Sequence, residues 1–351
     1  MALAALAAFV CGCQQELLTD CITVRDDSRQ AVAIEFDNGI TESHVATRAM
    51  LPLSECQYTM GVWGWRTDEQ TDSEPLFINQ LVSYSGMADS WTYSPPKYWE
   101  RHSSYRFYAY SPHITDARAA GAKVTIDRTA GLISIDGVTL HGDNIRRTGA
   151  SHELENNFAA SADIDWMITR QEQTASGRIP GKVQFVMNHI LAKLNVRIRA
   201  GESILSAGTG TTALRLDSLS IGTFRSSGRF EQKTGQSDSE WTVPDSGARV
   251  SLHSGTGIPV DAQYTYVVES LVLPQSIDGS QMLRLRYSMT GIDNRTEHFD
   301  YELPLLEAFG VNSDSGADGH FRSGNSYTLS ITISPDIITY NAGTSGWNEA
   351  N

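Results

Sequence analysis

The sequence predicts an all-β protein built from antiparallel β-sandwich layers. Hydrophobic and polar residues alternate with a period of two in segments such as residues 105–110 and 283–288. Turns rich in glycine and aspartate separate these segments at short spacing, and helical periodicity is scarce. Alternation of this kind buries one face of a strand and exposes the other, as antiparallel sandwiches do.

Individual segments support this fold class. Two alternating segments on either side of the turn at residues 128–131 predict a β-hairpin. Further strands are predicted where apolar residues recur at every second position, at residues 58–62, 183–187 and 194–198. Residues 43–55 and 152–162 each have room for a helical turn or two, which is too short to build a helical layer.

The length of the chain limits its domain organisation, and its net charge limits its partners. A chain of 351 residues is long enough for two domains, and the polar stretch at residues 173–181 is the best boundary. We therefore predict a leader at residues 1–13, a first domain at 14–175 and a second at 176–351. The net charge of -14 would repel nucleic acid and anionic lipid, so neither is an expected partner.

The beginning of the sequence predicts export. Residues 1–10 (MALAALAAFV) are apolar and small, with the length of a signal-peptide core. Cys11, Gly12 and Cys13 follow directly, and an aliphatic residue and a small residue before Cys13 fit a bacterial lipobox. We expect Cys13 to carry lipid and to anchor the precursor. The alternative is a buried N-terminal helix with incidental cysteines.

Cysteine and histidine spacing predicts neither a cofactor nor a metal site. Cys21 and Cys56 remain after lipidation, and they could pair in an oxidising compartment. A zinc-type CxxC arrangement does not occur. Residues 312–318 (NSDSGAD) resemble a loose calcium loop but lack the bidentate glutamate, so we interpret them as a solvated loop.

Catalytic patterns are missing from the sequence, which predicts that the protein is not an enzyme. HExxH, GxSxG, GxGxxG and phosphate-loop motifs do not occur. His189 lies between two buried-looking strands and is interpreted as structural. The carboxylate pairs Asp163 with Asp165 and Glu35 with Asp37 have the spacing that places side chains on one strand face, but an acidic chain produces such pairs by chance.

Aromatic residues are dense at residues 62–65 and 90–99. Exposed rings there would suggest sugar stacking, whereas buried rings would be sandwich core; we favour the core.

Several blocks recur in a fixed order. The first half contains MGVWGWR, LFINQLV, WTYSPPKYW and YRFYAYSP, and the second contains FVMNHILAKLNVRI, LSIGTFRSSGRF, LVLPQ and GNSYTLSITI, with Trp347 close to the end. In this order the blocks resemble the Bacteroidales fimbrillin (Mfa-like, type V pilin) family, from the lipobox to the C-terminus. The resemblance implies two transthyretin-like antiparallel β-sandwich domains in tandem, lipoprotein export, and assembly into pili on the outer membrane.

The resemblance also implies an assembly mechanism. In such proteins a protease cuts after an arginine near the N-terminus, and removal of the first strand leaves a groove that a strand of the next subunit fills. Arg48 and Ala49 match the cleavage region, and residues 31–36 (AVAIEF) are the candidate removable strand. The candidate donor is the C-terminal region, through Tyr327, Leu329, Ile331 and Ile333, together with residues 337–340.

The two segments and the cleavage region also allow other interpretations. Both segments could be ordinary core strands of a permanent monomer, and Arg66 is another arginine near the proposed cut. A bond between Cys21 and Cys56 would keep the cut segment tethered, because the cysteines lie on opposite sides of Arg48.

The favoured function is a pilus subunit whose partners are other copies or related pilins. The alternatives are a non-polymerising surface lipoprotein, or a tip or anchor adhesin that binds glycan or host matrix. A surface glycan hydrolase is a further alternative.

Overall fold

The computed structural model of the chain describes residues 31–38, 59–67, 74–85, 88, 90–142, 146–148, 154–156, 163–175, 179–205, 210–233, 240–335 and 337–347. Cys13, Cys21, Arg48, Ala49 and Cys56 lie outside these ranges. Lipidation, cleavage and cysteine pairing therefore stay predictions. Within the described ranges, no helix has the length and hydropathy needed to cross a bilayer.

The described chain up to residue 175 is made of strands and one 3₁₀ turn. These elements are β1 Phe36–Asn38, β2 Thr59–Thr67, β3 Glu74–Ser85, β4 Ser90–Thr92, β5 Ser103–Ser111, η1 Ala117–Ala119, β6 Lys123–Asp127, β7 Leu132–Thr139, β8 Arg146–Thr148, β9 Leu154–Asn156 and β10 Met167–Ala175.

The rest of the described chain continues this pattern with two short helices. These elements are β11 Val183–Phe185, β12 Asn188–His189, β13 Ala192–Ala200, α1 Glu202–Leu205, β14 Thr211–Phe224, β15 Ser227–Lys233, β16 Glu240–Thr242, β17 Ala248–His253, β18 Ile258–Val260, β19 Thr265–Val272, β20 Gln275–Ser276, β21 Met282–Gly291, β22 Thr296–Pro304, α2 Leu305–Phe309, β23 His320–Phe321, β24 Asn325–Ile333 and β25 Ile338–Gly346. The prediction of an all-β fold is confirmed.

Four larger sheets organise these strands, and most pairings are antiparallel. Their strand orders are β12–β10–β5–β2–β3–β4, β16–β15–β7–β6, β19–β13–β24–β25 and β17–β14–β21–β22, with β18 pairing to β14. Parallel pairing joins β1 to β11 and β13 to β24. The predicted hairpin around residues 128–131 is confirmed, because β6 and β7 pair across it.

Three hydrophobic cores lie between these layers. The first core contains the aromatic residues of β2, β3 and β5 together with β1 and β11. The second core lies under β13, β14, β21 and β24. The third, which we call the junction core, contains β2, β5, β6 and β7 together with Leu271 and Trp347 from the far end of the chain.

Strand β5 has buried residues on both faces, because its sheet lies between two cores. Tyr105, Phe107 and Ala109 face the first core, whereas Tyr108 and Tyr110 face the junction core. A strand buried on both faces needs apolar or aromatic residues at nearly every position. This explains why alternation of apolar and polar residues is imperfect in this segment.

Two sequence expectations concern the organisation of the chain. The prediction of a helical turn or two within residues 152–162 is wrong for the part that the structure describes. Leu154–Asn156 form β9 and pair with β8. The boundary after residue 175 coincides with the end of β10. Strands on both sides of that residue share the β16–β15–β7–β6 sheet, and the division into two domains stays a prediction.

Tyr110 gives this fold a measurable pH dependence. Its ring is fully buried, and its hydroxyl donates to Asn79 Oδ1 at 2.8 Å. Burial raises the pKa of Tyr110 from 10.0 to about 12. The folded state therefore keeps a proton that the unfolded chain loses, so stability falls as pH rises from about 10 to about 12.

We expect Tyr110→Phe to lose less stability than the native protein over this alkaline interval, because the variant lacks the buried titrating group. Urea unfolding at pH 9, 10, 11 and 12 measures the slope for both proteins. Tyr110→Phe also loses the hydrogen bond to Asn79. This loss changes the free energy of unfolding at neutral pH but not its slope with pH. Parallel slopes would contradict the prediction.

Candidate site for strand exchange

The candidate removable strand lies in the first core. Ile34 and Phe36 are 0% and 1% exposed, whereas Val32 is 43% exposed. Ile34 and Phe36 are two residues apart, so both side chains point to one face of an extended segment. This short alternation places two large apolar side chains among residues of β2, β3, β5 and β11.

Phe36 is the centre of an aromatic cluster. Its ring centroid lies 5.3 Å from that of Phe185 in a stacked arrangement and 5.4 Å from that of Phe77 in an edge-on arrangement. Tyr93 and Phe107 lie 5.5 and 5.9 Å away. Ring pairs in this distance range are favourable beyond the apolar area that they bury. The four rings form an aromatic pocket around one side chain of the N-terminal segment.

Backbone hydrogen bonds hold the same segment on two sides. On one side, Ile34 donates to Lys97 O at 2.8 Å, and Trp99 donates to Val32 O at 3.0 Å. On the other side, Val183 donates to Glu35 O at 2.7 Å, at the start of the parallel β1–β11 pairing. The segment therefore lies as a strand between neighbours on both edges. Each of these three backbone hydrogen bonds is 3.0 Å or shorter.

The acidic side chains of the segment make long and exposed polar contacts. Lys182 Nζ lies 3.7 Å from Glu35 Oε2, and Gln184 Nε2 lies 3.5 Å from Asp37 Oδ2. Glu35 and Asp37 thus face outward, away from the side that carries Ile34 and Phe36. Burial of apolar side chains and backbone pairing, rather than ion pairs, dominate the attachment of this strand.

The predicted donor residues lie inside the second core. Tyr327, Leu329, Ile331 and Ile333 are each at most 1% exposed and share one face of β24. Strand β24 has β13 on one side and β25 on the other. These four side chains therefore stabilise their own chain in this structure, and their release requires separation of β24 from two neighbours.

Strand β25 is the outer strand of the same sheet. In the described part of the chain it pairs only with β24. Ile338 and Ala342 pack partly against the second core, while Tyr340 is 36% exposed and donates to Glu307 Oε2 at 3.2 Å. Because it has one neighbour and little buried surface, β25 can separate at lower cost than β24.

Trp347 fixes the end of β25. It is 3% exposed, and its backbone N–H donates to Gly324 O at 2.7 Å. Its ring stacks on His189 with centroids 4.1 Å apart and an interplanar angle of 1°. Lys193 Nζ lies 5.5 Å from the ring centroid on a cation–π contact.

His189 and Lys193 are themselves held by buried acids. His189 Nδ1 lies 2.8 Å from Asp165 Oδ2, and Lys193 Nζ lies 3.1 Å from Glu269 Oε1. All four side chains are 7% exposed or less. His189 therefore has the placement expected of a structural histidine, and these two pairs form the polar support beneath Trp347.

The other sequence candidates do not come together. Asp163 accepts hydrogen bonds from the backbone N–H groups of His141 and Gly142 at 2.6 and 3.0 Å, whereas Asp165 contacts His189. In residues 312–318, Ser313 and Ser315 bond to each other at 2.7 Å. Among the described residues, no group of three or more histidine, cysteine or acidic side chains is placed to hold a metal ion.

Most of the dense aromatic residues are core residues. Trp63, Trp91 and Trp99 are 8%, 6% and 5% exposed, which confirms the core interpretation for these rings. Trp65 is only partly buried and packs at the edge of the junction core. Residue spacing could not identify Trp347 as a packing partner, because its contacts come from β12 and β13, more than a hundred residues away in the sequence.

The geometry defines a class of protein: an all-β chain in which a short segment near the N-terminus completes a hydrophobic core. The chain belongs to the fimbrillin-like family, whose family model matches residues 47–347. This membership supports a pilus-associated protein of the cell surface. A comparison with curated proteins gave no match.

Solved structures agree with the fold. A fimbrial protein from Bacteroides vulgatus has a TM-score of 0.59 at 17% identity, covering 90% of this chain and 99% of its own. A candidate cell adhesion protein from Bacteroides uniformis has a TM-score of 0.50 at 18% identity, with the same coverage of 90% and 99%. At such low identity these similarities establish the fold alone.

Proposed function

We propose that this chain is a structural subunit of a cell-surface pilus. In this proposal the precursor is exported as a lipoprotein, anchored to the outer membrane through Cys13, and cut between Arg48 and Ala49. Cleavage frees the segment that contains Ile34 and Phe36. A strand from another copy or from a related pilin then occupies the vacated groove.

The observation that carries this proposal is the position of residues 31–38. They precede the proposed cut, yet they supply two fully buried side chains to the first core. Loss of this segment would expose the aromatic pocket around Phe36 and the unpaired edge of β11. An exposed apolar groove beside a free strand edge favours the addition of another strand.

The extent of the family match is consistent with this division. The match begins at residue 47, one residue before Arg48, so residues 31–38 lie before the matched region. A segment that is removed from the mature subunit is not required to follow the pattern of the part that remains.

The donor in our proposal is the C-terminal β24–β25 region. Ile338, Tyr340 and Ala342 occupy alternate positions on β25 and match the alternation of Ile34 and Phe36. Separation of β25 from β24 opens one strand pairing, whereas release of β24 also removes the face with Tyr327 and Leu329 from the second core. We therefore expect β25 to leave first and β24 to follow only if the whole hairpin is donated.

Competition with a synthetic peptide tests this function. The exported chain, without lipid, is treated with an arginine-specific protease under reducing conditions, and the new N-terminus is mapped by mass spectrometry. We expect chains that begin at Ala49 to form detergent-resistant multimers, because each vacated groove is filled by a neighbour. An excess of the peptide AVAIEFDN, residues 31–38, should suppress these multimers by refilling the groove.

Two controls make the test specific. The peptide with Asp in place of Ile34 and Phe36 should not suppress assembly, because it cannot fill the aromatic pocket. Arg48→Ala should leave the chain uncut at this position and monomeric. Suppression by both peptides, or multimers formed equally by the uncut variant, would contradict strand exchange through this groove. Omission of the reductant shows whether a bond between Cys21 and Cys56 retains the cut segment.

A second candidate is a subunit that accepts a strand but donates none, such as a pilus tip or a non-polymerising adhesin that binds glycan or host matrix. The interior position of β24 favours it, because a chain that keeps its C-terminal strands can accept a strand without donating one. In the same assay, such a protein would begin at Ala49 and bind a labelled donor peptide, yet remain monomeric.

A further inference from the structure

A polar groove crosses the outer face of the β17–β14–β21–β22 sheet, away from the strand-exchange site. Its volume is about 600 Å³. Its lining includes three serines, Ser218, Ser220 and Ser251, and three arginines, Arg249, Arg284 and Arg286. Binding sites for small ligands commonly have volumes of about 300–1,000 Å³.

Strand register explains why a groove forms on a sheet. Ser220 lies opposite Ser251 on β17 and opposite Arg284 on β21, and Ser218 lies opposite Arg286. Small side chains therefore occupy the central strand and long side chains occupy its neighbour. The opposite face of the same strands carries the apolar side chains of the second core.

The positive side chains of the groove differ in their partners. Arg284 Nε lies 2.8 Å from Glu302 Oε1, and Arg286 Nε lies 2.9 Å from Asp300 Oδ1. Arg249 Nε donates to Ser220 Oγ at 3.0 Å. Within the described ranges Arg249 has no ion pair, so one guanidinium in the groove lacks a counterion within a chain of net charge -14.

His253 is a further polar residue in the lining of the groove. Its Nε2 atom is buried beside the groove and has no hydrogen-bond partner in the described part of the chain. Burial lowers the pKa of His253, so its ring is neutral at pH 7. His253 therefore adds a polar ring but no charge to the lining of the groove.

We propose that this groove binds an anionic carbohydrate, with the sugar acid group on Arg249. A guanidinium binds carboxylate or sulfate through charge-assisted hydrogen bonds. Sugar hydroxyls both donate and accept, and the groove offers both roles through serine hydroxyls, arginine N–H groups and the carboxylates of Asp300 and Glu302. This mixture suits an acidic ligand that is rich in hydroxyls better than an acidic peptide, whose side chains offer carboxylates but no hydroxyls.

Binding of defined oligosaccharides to the full-length, non-lipidated protein tests the proposal. Calorimetry is performed with oligogalacturonate, sulfated dextran oligosaccharide, neutral dextran and poly-glutamate. We expect oligogalacturonate or sulfated dextran to bind, and neutral dextran and poly-glutamate not to bind. Comparison of the two anionic sugars shows whether the preferred acid group is a carboxylate or a sulfate. Affinity should fall as salt is raised, because exposed charges are screened.

Two groove variants and one matched control locate the site. Arg249→Gln should weaken binding by about tenfold or more, the effect of losing one charge-assisted pair. Ser251→Trp should block binding by filling the groove without a change of charge. Arg295→Gln removes the same charge from the β21–β22 turn, where the side chain is 87% exposed, and should bind like the native protein.

Several binding results would contradict the proposal. Failure of both anionic sugars to bind the native protein, or equal binding by Arg249→Gln and Arg295→Gln, would overturn the proposal. Binding of poly-glutamate as tight as that of the sugars would overturn the carbohydrate class. None of these outcomes depends on strand exchange, because the groove belongs to the sheet formed by β14, β17, β21 and β22.

Discussion

Phe36→Ala is expected to lower the free energy of unfolding of the uncut protein by about 3–5 kcal/mol, the usual cost of truncating a buried phenylalanine. Phe36 is 1% exposed and contacts four aromatic rings, so truncation leaves a cavity in the first core. Urea unfolding measured by tryptophan fluorescence gives the change. Phe36 lies in the segment that, in our proposal, is removed from the mature subunit.

Val32→Ala is the matched control in the same segment. Val32 is 43% exposed, and its backbone contact to Trp99 is retained in the variant. Its effect should stay within about 0.5 kcal/mol, as for ordinary surface substitutions. Equal effects of the two substitutions would show that residues 31–38 do not complete the first core. The groove proposal would then lose its structural basis.

Trp347→Ala is expected to destabilise the protein by about 3–5 kcal/mol and to loosen the end of β25. The ring covers His189 and lies over Lys193, whose charge is buried with that of Glu269. Truncation removes the stacking and admits water to the buried His189–Asp165 and Lys193–Glu269 pairs. Because Trp347 directly follows β25, the strand loses its fixed end.

Hydrogen exchange measures this local effect. Amides of β25 should exchange faster in Trp347→Ala by about tenfold or more beyond the change that the loss of global stability causes, whereas those of β14 and β21 should follow global stability only. Tyr340→Ala, at a 36% exposed position in the middle of the same strand, is the control and should have a small effect. Uniform acceleration in all sheets would contradict a specific anchoring role for Trp347.

Local sequence patterns were sufficient to predict the fold class and several elements. Alternation with turn residues predicted the β6–β7 hairpin, and the buried tryptophans lie in cores as expected. These features depend on neighbouring residues only. The block order was sufficient to indicate the family, which the match over residues 47–347 establishes.

Long-range pairing could not be predicted in the same way. Tyr327 and Leu329 alternate like any half-buried strand, but the sequence does not show that β13 pairs with β24 in parallel across more than a hundred residues. That pairing decides whether the strand is interior or free at an edge. The partners of Phe36 likewise come from four separate parts of the chain, so the aromatic pocket has no local signature.

Carboxylate spacing was a poor guide to chemistry for a related reason. Asp163 and Asp165 have the spacing of one strand face, but they lie just before β10 in an irregular segment. Each carboxylate is satisfied by a different neighbour, the backbone at His141 for one and His189 for the other. Both stabilise packing between elements, which is the commonest role of buried hydrogen-bonded acids.

In our proposal the mature subunit lacks residues 31–38 and is completed by a strand from a neighbour. N-terminal mapping by mass spectrometry of protein from purified surface fractions tests it most directly. We predict a mature start at Ala49 in high-mass, detergent-resistant assemblies. A species that still begins at lipidated Cys13 and is always monomeric would contradict the account.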